Sequence, residues 1–226
     1  MHFLDRRDAG RMLAAELVPL AGERPVVVAL PRGGVPVGAE VARLLGAPLE
    51  ILAVRKLGAP GNPELGVGAI VEDGTAVLDE RSASAVGMTQ ETLDETVARE
   101  AAELQRRVER YRAGRARLPV EGRTVIVVDD GLATGLSDLA AVRSLRMQAA
   151  RRIVVAVPVG SGESVRMLAE EADDVVSVLT PRVLFGVGLW YEDFSPVSDE
   201  QVLALLREAR ARVAGDDDRP QPERTM

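Results

Sequence analysis

The chain has no cysteine in 226 residues. That excludes disulfides, thiolate nucleophiles and cysteine-bound zinc. Histidine occurs once, at His2, so proton chemistry falls to carboxylates, lysine, tyrosine or the substrate. Aromatic residues are scarce, at 3% of the chain against 46% hydrophobic residues overall. Valine, leucine and alanine must therefore fill the core. Positive charge is in deficit: 28 Lys and Arg face 35 Asp and Glu, a net charge of −7. Such a chain lacks the electrostatic footprint of a nucleic-acid binder. No apolar run is long enough to span a bilayer, and no signal-peptide pattern opens the sequence. The expectation is a cytoplasmic α/β domain with a small-molecule partner, and neither nucleic acid nor membrane.

What is present centres on residues 124–137, TVIVVDDGLATGLS. Val125–Val128 is a β-branched apolar run, suited to a strand buried on both faces. Asp129 and Asp130 stand where that strand ends. Gly131, Leu132, Ala133, Thr134, Gly135, Leu136 and Ser137 form a small-residue loop leading into a helical pattern. A strand, a tight loop and a helix start bring backbone N–H groups together beside a positive dipole end, which suits an anion. Two carboxylates beside a phosphate cradle conflict, unless the ligand is a sugar phosphate. The loop then holds the phosphate while the acids meet vicinal hydroxyls, directly or through a hard cation. Taken alone, an Asp-Asp pair is an ordinary polar turn.

Elsewhere, strands are expected at Val26–Leu30, Leu49–Val54, Ile153–Val157 and Val175–Leu179. Helices are expected at Asp5–Leu20, Val37–Leu45, Leu139–Leu145, Glu163–Glu171 and Asp199–Val213. This alternation specifies a parallel sheet flanked by helices, a Rossmann-like arrangement. Pro31-Arg32-Gly33-Gly34 follows the first strand and exposes amides at the sheet's carboxyl edge. Arg55 and Lys56 close the second strand. Leu57–Gly68 carries too much Gly and Pro for regular structure and reads as a functional lid or a disordered segment. Ala69–Val71 and Ala76–Leu78 read as a hairpin. Thr89–Arg112 reads as a long helix with one apolar stripe (Leu93, Val97, Ala101, Leu104, Val108, Tyr111), a packing or subunit-contact element. Val183–Phe194 gathers the only Trp and two of the three Phe. Gly215–Met226 reads as a disordered tail.

Three of these segments, in order, resemble the type I phosphoribosyltransferases: Arg32-Gly33-Gly34, Arg55-Lys56 and Asp129–Ser137. The Asp-Asp-Gly-Leu-Ala-Thr-Gly wording is nearest to adenine-type members. The resemblance implies one domain over 1–214, with a core at about 25–180, a hood from 181–197 plus terminal segments, and an inserted long helix. It implies transfer of ribose 5-phosphate from phosphoribosyl diphosphate (PRPP) to a nucleobase-like nitrogen acceptor, with Mg²⁺ and a homodimer. Asp129 and Asp130 would hold the ribose and the metal, with Glu192 as a late metal acid. Residues 131–137 would hold the 5-phosphate. Arg32, Gly33, Gly34, Arg55 and Lys56 would hold the diphosphate, and Arg32 and Lys56 would count among the catalytic residues with the two acids. The Pro31–Arg32 bond is the place where the family often has a non-proline cis peptide. Phe185, Val187 and Trp190 would contact the base, although aromatics closing the edge of the core explain that segment equally well.

One departure matters. Hypoxanthine- and xanthine-type members place an Asp where this chain has Ala133, so those acceptors are not expected. Glu64, in the glycine-rich loop, is a weak candidate for an acid or base. The competing reading is a catalytically silent protein that senses PRPP or nucleotides.

Overall fold

Five short strands with few polar residues build the central sheet. The computed structural model describes residues 2–217, leaving aside the side chains of 63, 64 and 215–217. In chain order the elements are α1 (Arg6–Leu17), a 3₁₀ turn (Val18–Glu23), β1 (Val26–Ala29), α2 (Gly34–Leu45) and β2 (Leu49–Ile51). Then come β3 (Val54–Ala59), β4 (Asn62–Val71), β5 (Ala76–Leu78), α3 (Glu80–Ala85) and α4 (Gln90–Arg112). The remainder is β6 (Thr124–Val128), α5 (Leu136–Met147), β7 (Arg152–Val159), α6 (Gly162–Ala169), β8 (Asp174–Leu179), a 3₁₀ turn (Val187–Trp190) and α7 (Asp199–Asp217).

The main sheet runs β2-β1-β6-β7-β8, and every pairing in it is parallel. Successive side chains on a strand point to opposite faces. Val27, Ala29, Ile126, Val128, Val154 and Ala156 enter one core with α1, α2 and α7. Val26, Val28, Val125, Val127, Ile153 and Val155 enter the other, against α5. Both faces being covered explains why these strands read as unbroken apolar runs. Leu13 and Leu17, one helical turn apart on α1, are fully buried. Each such side chain contributes roughly 1.5–3 kcal/mol. Asp5 caps α1 by accepting from the Asp8 amide at 2.7 Å.

The stretch expected to lack regular structure is a second sheet. β3, β4 and β5 form an antiparallel meander. The expected strand Leu49–Val54 is likewise divided: β2 ends at Ile51, and Val54 starts β3 in the other sheet. Glycines punctuated the sequence but did not break the ladder. The register shifts at Leu57/Gly58 and Gly58/Ala59, where irregular pairing absorbs them. The hairpin expected around Glu72-Asp73-Gly74 is β4–β5, with Ile70 opposite Ala76. The long helix α4 lays its stripe on the first core, burying Leu104 and Tyr111. Tyr111 donates its hydroxyl to Asp199 at 2.5 Å. The C-terminal helix continues through Asp217, past the expected end at Val213, and residues 218–226 of the expected tail lie outside the described residues.

Gly68 makes the closest approach in the meander. A Cβ there would stand 2.4 Å from the Val77 carbonyl oxygen, which is backbone and cannot swing away. Gly68→Ala is expected to lower the unfolding free energy by about 1–3 kcal/mol, read as a lower urea midpoint. An unchanged midpoint would show that the meander yields at this point.

Candidate active site

From β1 the chain steps to β2 on one side; from β6 it steps to β7 and β8 on the other. The crevice at the carboxyl ends of β1 and β6 is therefore the topological switch point, where open α/β sheets bind ligands. The Leu30 amide donates to the Val128 carbonyl at 2.9 Å, which ties the two strand ends together. The Pro31–Arg32 peptide bond is cis, as the resemblance implied. Gly33 then packs directly on the acid pair. A Cβ at that position would lie 2.0 Å from Asp130 Oδ2, so any larger residue would have to displace this carboxylate.

The loop after β6 is pinned from its far side. Leu132 is buried; its amide donates to the Val159 carbonyl at 2.9 Å, and its own carbonyl accepts from the Ser161 amide at 3.0 Å. Ser164 Oγ donates to the Ala133 carbonyl at 2.6 Å. None of the amides of residues 133–137 meets a protein acceptor among the described residues. They sit at the start of α5, where the helix dipole is positive, and Thr134 and Ser137 line the cleft beside them. These are the parts of an anion cradle.

The electrostatics run the other way a few residues off. Burial pushes the Asp129 carboxyl well above the usual carboxylate range, and the neighbouring Asp130 and Asp138 add to it. Burial also raises Asp130, while the Arg6 guanidinium opposes the rise. Asp138, only 2% exposed, is pushed up to about 7, again chiefly by burial. Its Oδ1 has no hydrogen-bond partner. Arg6 Nε donates to Asp130 Oδ2 at 2.8 Å, and Tyr191 donates its hydroxyl to the Asp130 carbonyl at 2.6 Å.

A cleft of about 480 Å³ brings together Arg32, Gly33, Lys56, Asp129 and Asp130. Gly131, Ala133, Thr134, Gly135, Ser137 and Val187 line it as well. Gly34 lies under its floor, where a Cβ would meet the Val128 carbonyl at 2.5 Å. Leu132 points into the core, and Leu136 packs against the same core from the start of α5. Arg55 turns away: its guanidinium pairs with Glu100 of α4, at 2.6 Å. Phe185 is 88% exposed and does not reach the cleft. Trp190 stacks on His2 with ring centroids 5.8 Å apart. Glu192 is exposed on the hood segment and does not line the cleft. Glu64 lies within β4, with its side chain outside the described residues.

Sequence reasoning missed Arg6, Asp138, Gly188, Phe194, Pro196 and Val197, which line the cleft, and Tyr191 beside it. Phe194, not Phe185, is the aromatic side chain lining the cleft. Arg6 and Asp138 line it too, and Tyr191 braces it. Phe194 and Tyr191 fall inside the aromatic segment already singled out, so its existence was visible but not its facing. Asp138 sits at the third position of a helix, where an acid is ordinary. Arg6 carries no local signal at all.

Among the described residues no three His, Cys, Asp or Glu side chains form a group able to hold a metal ion. Asp129 and Asp130 are a pair of oxygen donors rather than a cage. That suits a magnesium ion, which binds through one or two carboxylates and completes its shell with water and substrate oxygens. Among the described residues no helix is long and apolar enough to cross a membrane.

A model of the phosphoribosyl transferase domain matches residues 4–192. A protein of Mycobacterium tuberculosis (strain CDC 1551) provisionally named a phosphoribosyl transferase is 47% identical over 212 residues, 94% of this chain. The counterpart from strain H37Rv gives the same values. The chain spans about half, 48%, of the length of these relatives. The crystal structure of TT1426 from Thermus thermophilus superposes with a TM-score of 0.77 at 47% identity, covering 92% of this chain and 99% of that one.

The buried Asp138 carries a pH signature. Its carboxyl titrates near 7 in the folded chain against an ordinary 3.8. Between those values the folded state holds a proton that the unfolded state has lost, so stability falls as pH rises from about 4 to about 7. Asp138→Asn removes this loss. At pH 8 the variant is expected to be more stable than the wild type by up to ~4 kcal/mol, with little difference at pH 4. Urea midpoints of both proteins across that range test this, and parallel profiles would contradict it.

Proposed function

This chain belongs to the type I phosphoribosyltransferase family, and on that premise we propose that it transfers ribose 5-phosphate from PRPP to a ring nitrogen of a nucleobase-like acceptor. One observation carries the reading: free amides at a helix start stand next to paired carboxylates in a single cleft. A phosphate monoester alone would need only the first, and a cation only the second. A pentose phosphate uses both.

In this reading the amides of residues 133–137, with the Thr134 and Ser137 hydroxyls, hold the 5-phosphate and fix the sugar's orientation before chemistry. Asp129 and Asp130 accept from the ribose hydroxyls and favour positive charge developing on the ring. Arg32 and Lys56, on the rim, meet the diphosphate. The acceptor nitrogen donates its lone pair to C1 of the sugar. The C1–O bond to diphosphate breaks, its electron pair leaves with that anion, and a ring nitrogen that carried a proton loses it to water or to the departing diphosphate. Asp129 and Asp130 are the residues that would hold Mg²⁺, which would supply charge neutralisation for the departing diphosphate. Val187, Gly188 and Phe194 line the acceptor end. A homodimer and a cytoplasmic setting belong to the same proposal.

The second reading, a silent binder of PRPP or nucleotides, draws on Arg6, which already occupies Asp130. Diphosphate release decides between them. PRPP incubated with a panel of nitrogen bases is expected to release diphosphate in a magnesium-dependent manner, abolished by chelation and restored by added Mg²⁺. Asp130→Asn is expected to cut that turnover by about 100-fold or more while the urea midpoint shows an intact fold. Wild-type turnover in the variant would refute the assignment, and PRPP binding without release by any base would favour the silent binder.

A further inference from the structure

Arg6 enters the cleft from α1, far in sequence from every motif. Its side chain is 11% exposed. Three contacts hold it: Nε on Asp130 Oδ2 at 2.8 Å, one terminal nitrogen on the Ser195 carbonyl at 2.9 Å, and the guanidinium 3.8 Å over the Phe194 ring. The last two belong to the hood segment, so Arg6 stands on the acceptor side of the acid pair. The other hood side chains on that wall, Val187, Phe194, Pro196 and Val197, carry no charge. Ala133 brings no carboxylate to receive a proton from a neutral base.

Resting on the phosphoribosyl reading above, we infer that Arg6 selects the acceptor, and that the acceptor is a planar heteroaromatic ring bearing a carboxylate. The sugar needs Asp130, whose Oδ2 is now held by Arg6. When ribose hydroxyls or a cation take that oxygen, a nearly enclosed guanidinium loses the carboxylate hydrogen-bonded to it, which is costly. An incoming carboxylate replaces the lost partner in bidentate geometry. The ring meanwhile lies along the apolar wall of Val187 and Phe194. Arg6 thus changes partner, from protein acid to substrate acid. The hollow behind Arg6, about 320 Å³, shares Arg6, Pro196 and Val197 with the cleft and is also lined by Asp5, Asp193 and Glu208, so a substrate carboxylate competes with these acids for a guanidinium that shifts.

The test measures diphosphate release from PRPP with matched pairs: pyridine-3-carboxylate against its carboxamide, a pyrimidine carboxylate against its carboxamide, and adenine as a neutral purine. At least one acid is expected to exceed its amide, and adenine, by about 10-fold or more in kcat/KM. Arg6→Gln is expected to raise KM for that acid by about 10-fold or more with kcat little changed, and Arg6→Lys to recover part of the loss. Turnover with neutral acceptors only, turnover with none of the acids, or an unchanged KM in Arg6→Gln overturns the inference. Calorimetry of PRPP with the wild type separates the two levels. PRPP binding is expected whichever acceptor is used, and its absence would sink the transferase reading together with this inference.

Discussion

Negative charge crowded at the end of one buried strand is the constraint around which this molecule is arranged. Burial raises the proton affinity of Asp129, Asp130 and Asp138, and proximity adds to it: Asp130 and Asp138 raise Asp129, and Asp130 raises Asp138. Such a group persists in a folded chain only if something else compensates. Part of the compensation is internal: Arg6 on Asp130, the Asp130 amide on Asp129 at 2.8 Å, and Lys56 within electrostatic reach of both. The remainder is left for a ligand, and the proposed pentose phosphate with its metal would supply it.

The fold serves that arrangement. A parallel sheet buried on both faces gives β6 a fixed carboxyl end, and reversal of the strand order beside β1 opens the crevice there. The loop after β6 is held by β7 and α6 through Leu132 and Ala133 rather than by its own turn. Its amides are thereby left for a ligand. The hood reaches back from the C-terminal side through Tyr191 and Phe194, and α1 reaches in from the other terminus through Arg6. The cleft is closed by segments distant in sequence, so the sheet alone does not make the site.

That division explains what was legible in the sequence. β1, β6 and β7 were readable because burial on both faces demands unbroken β-branched runs. The acid pair, the loop and the Arg32-Gly33-Gly34 turn were readable because the chemistry is compressed into consecutive residues. Residues 57–68 were misread because glycine marks both turns and irregular ladders, and only the partner strand distinguishes them. Arg6 could not be read, because its contact with Asp130 spans 124 positions. The facing of the aromatic segment also stayed hidden. Phe194 lines the cleft and Phe185 stays outside, and nothing in the composition chooses between them.

A crystal structure of the protein with ribose 5-phosphate bound tests the account most directly. It should show the phosphate on the amides of residues 133–137 and the ring hydroxyls on Asp129 and Asp130. A sugar phosphate bound elsewhere, or with its ring turned away from both carboxylates, would contradict it.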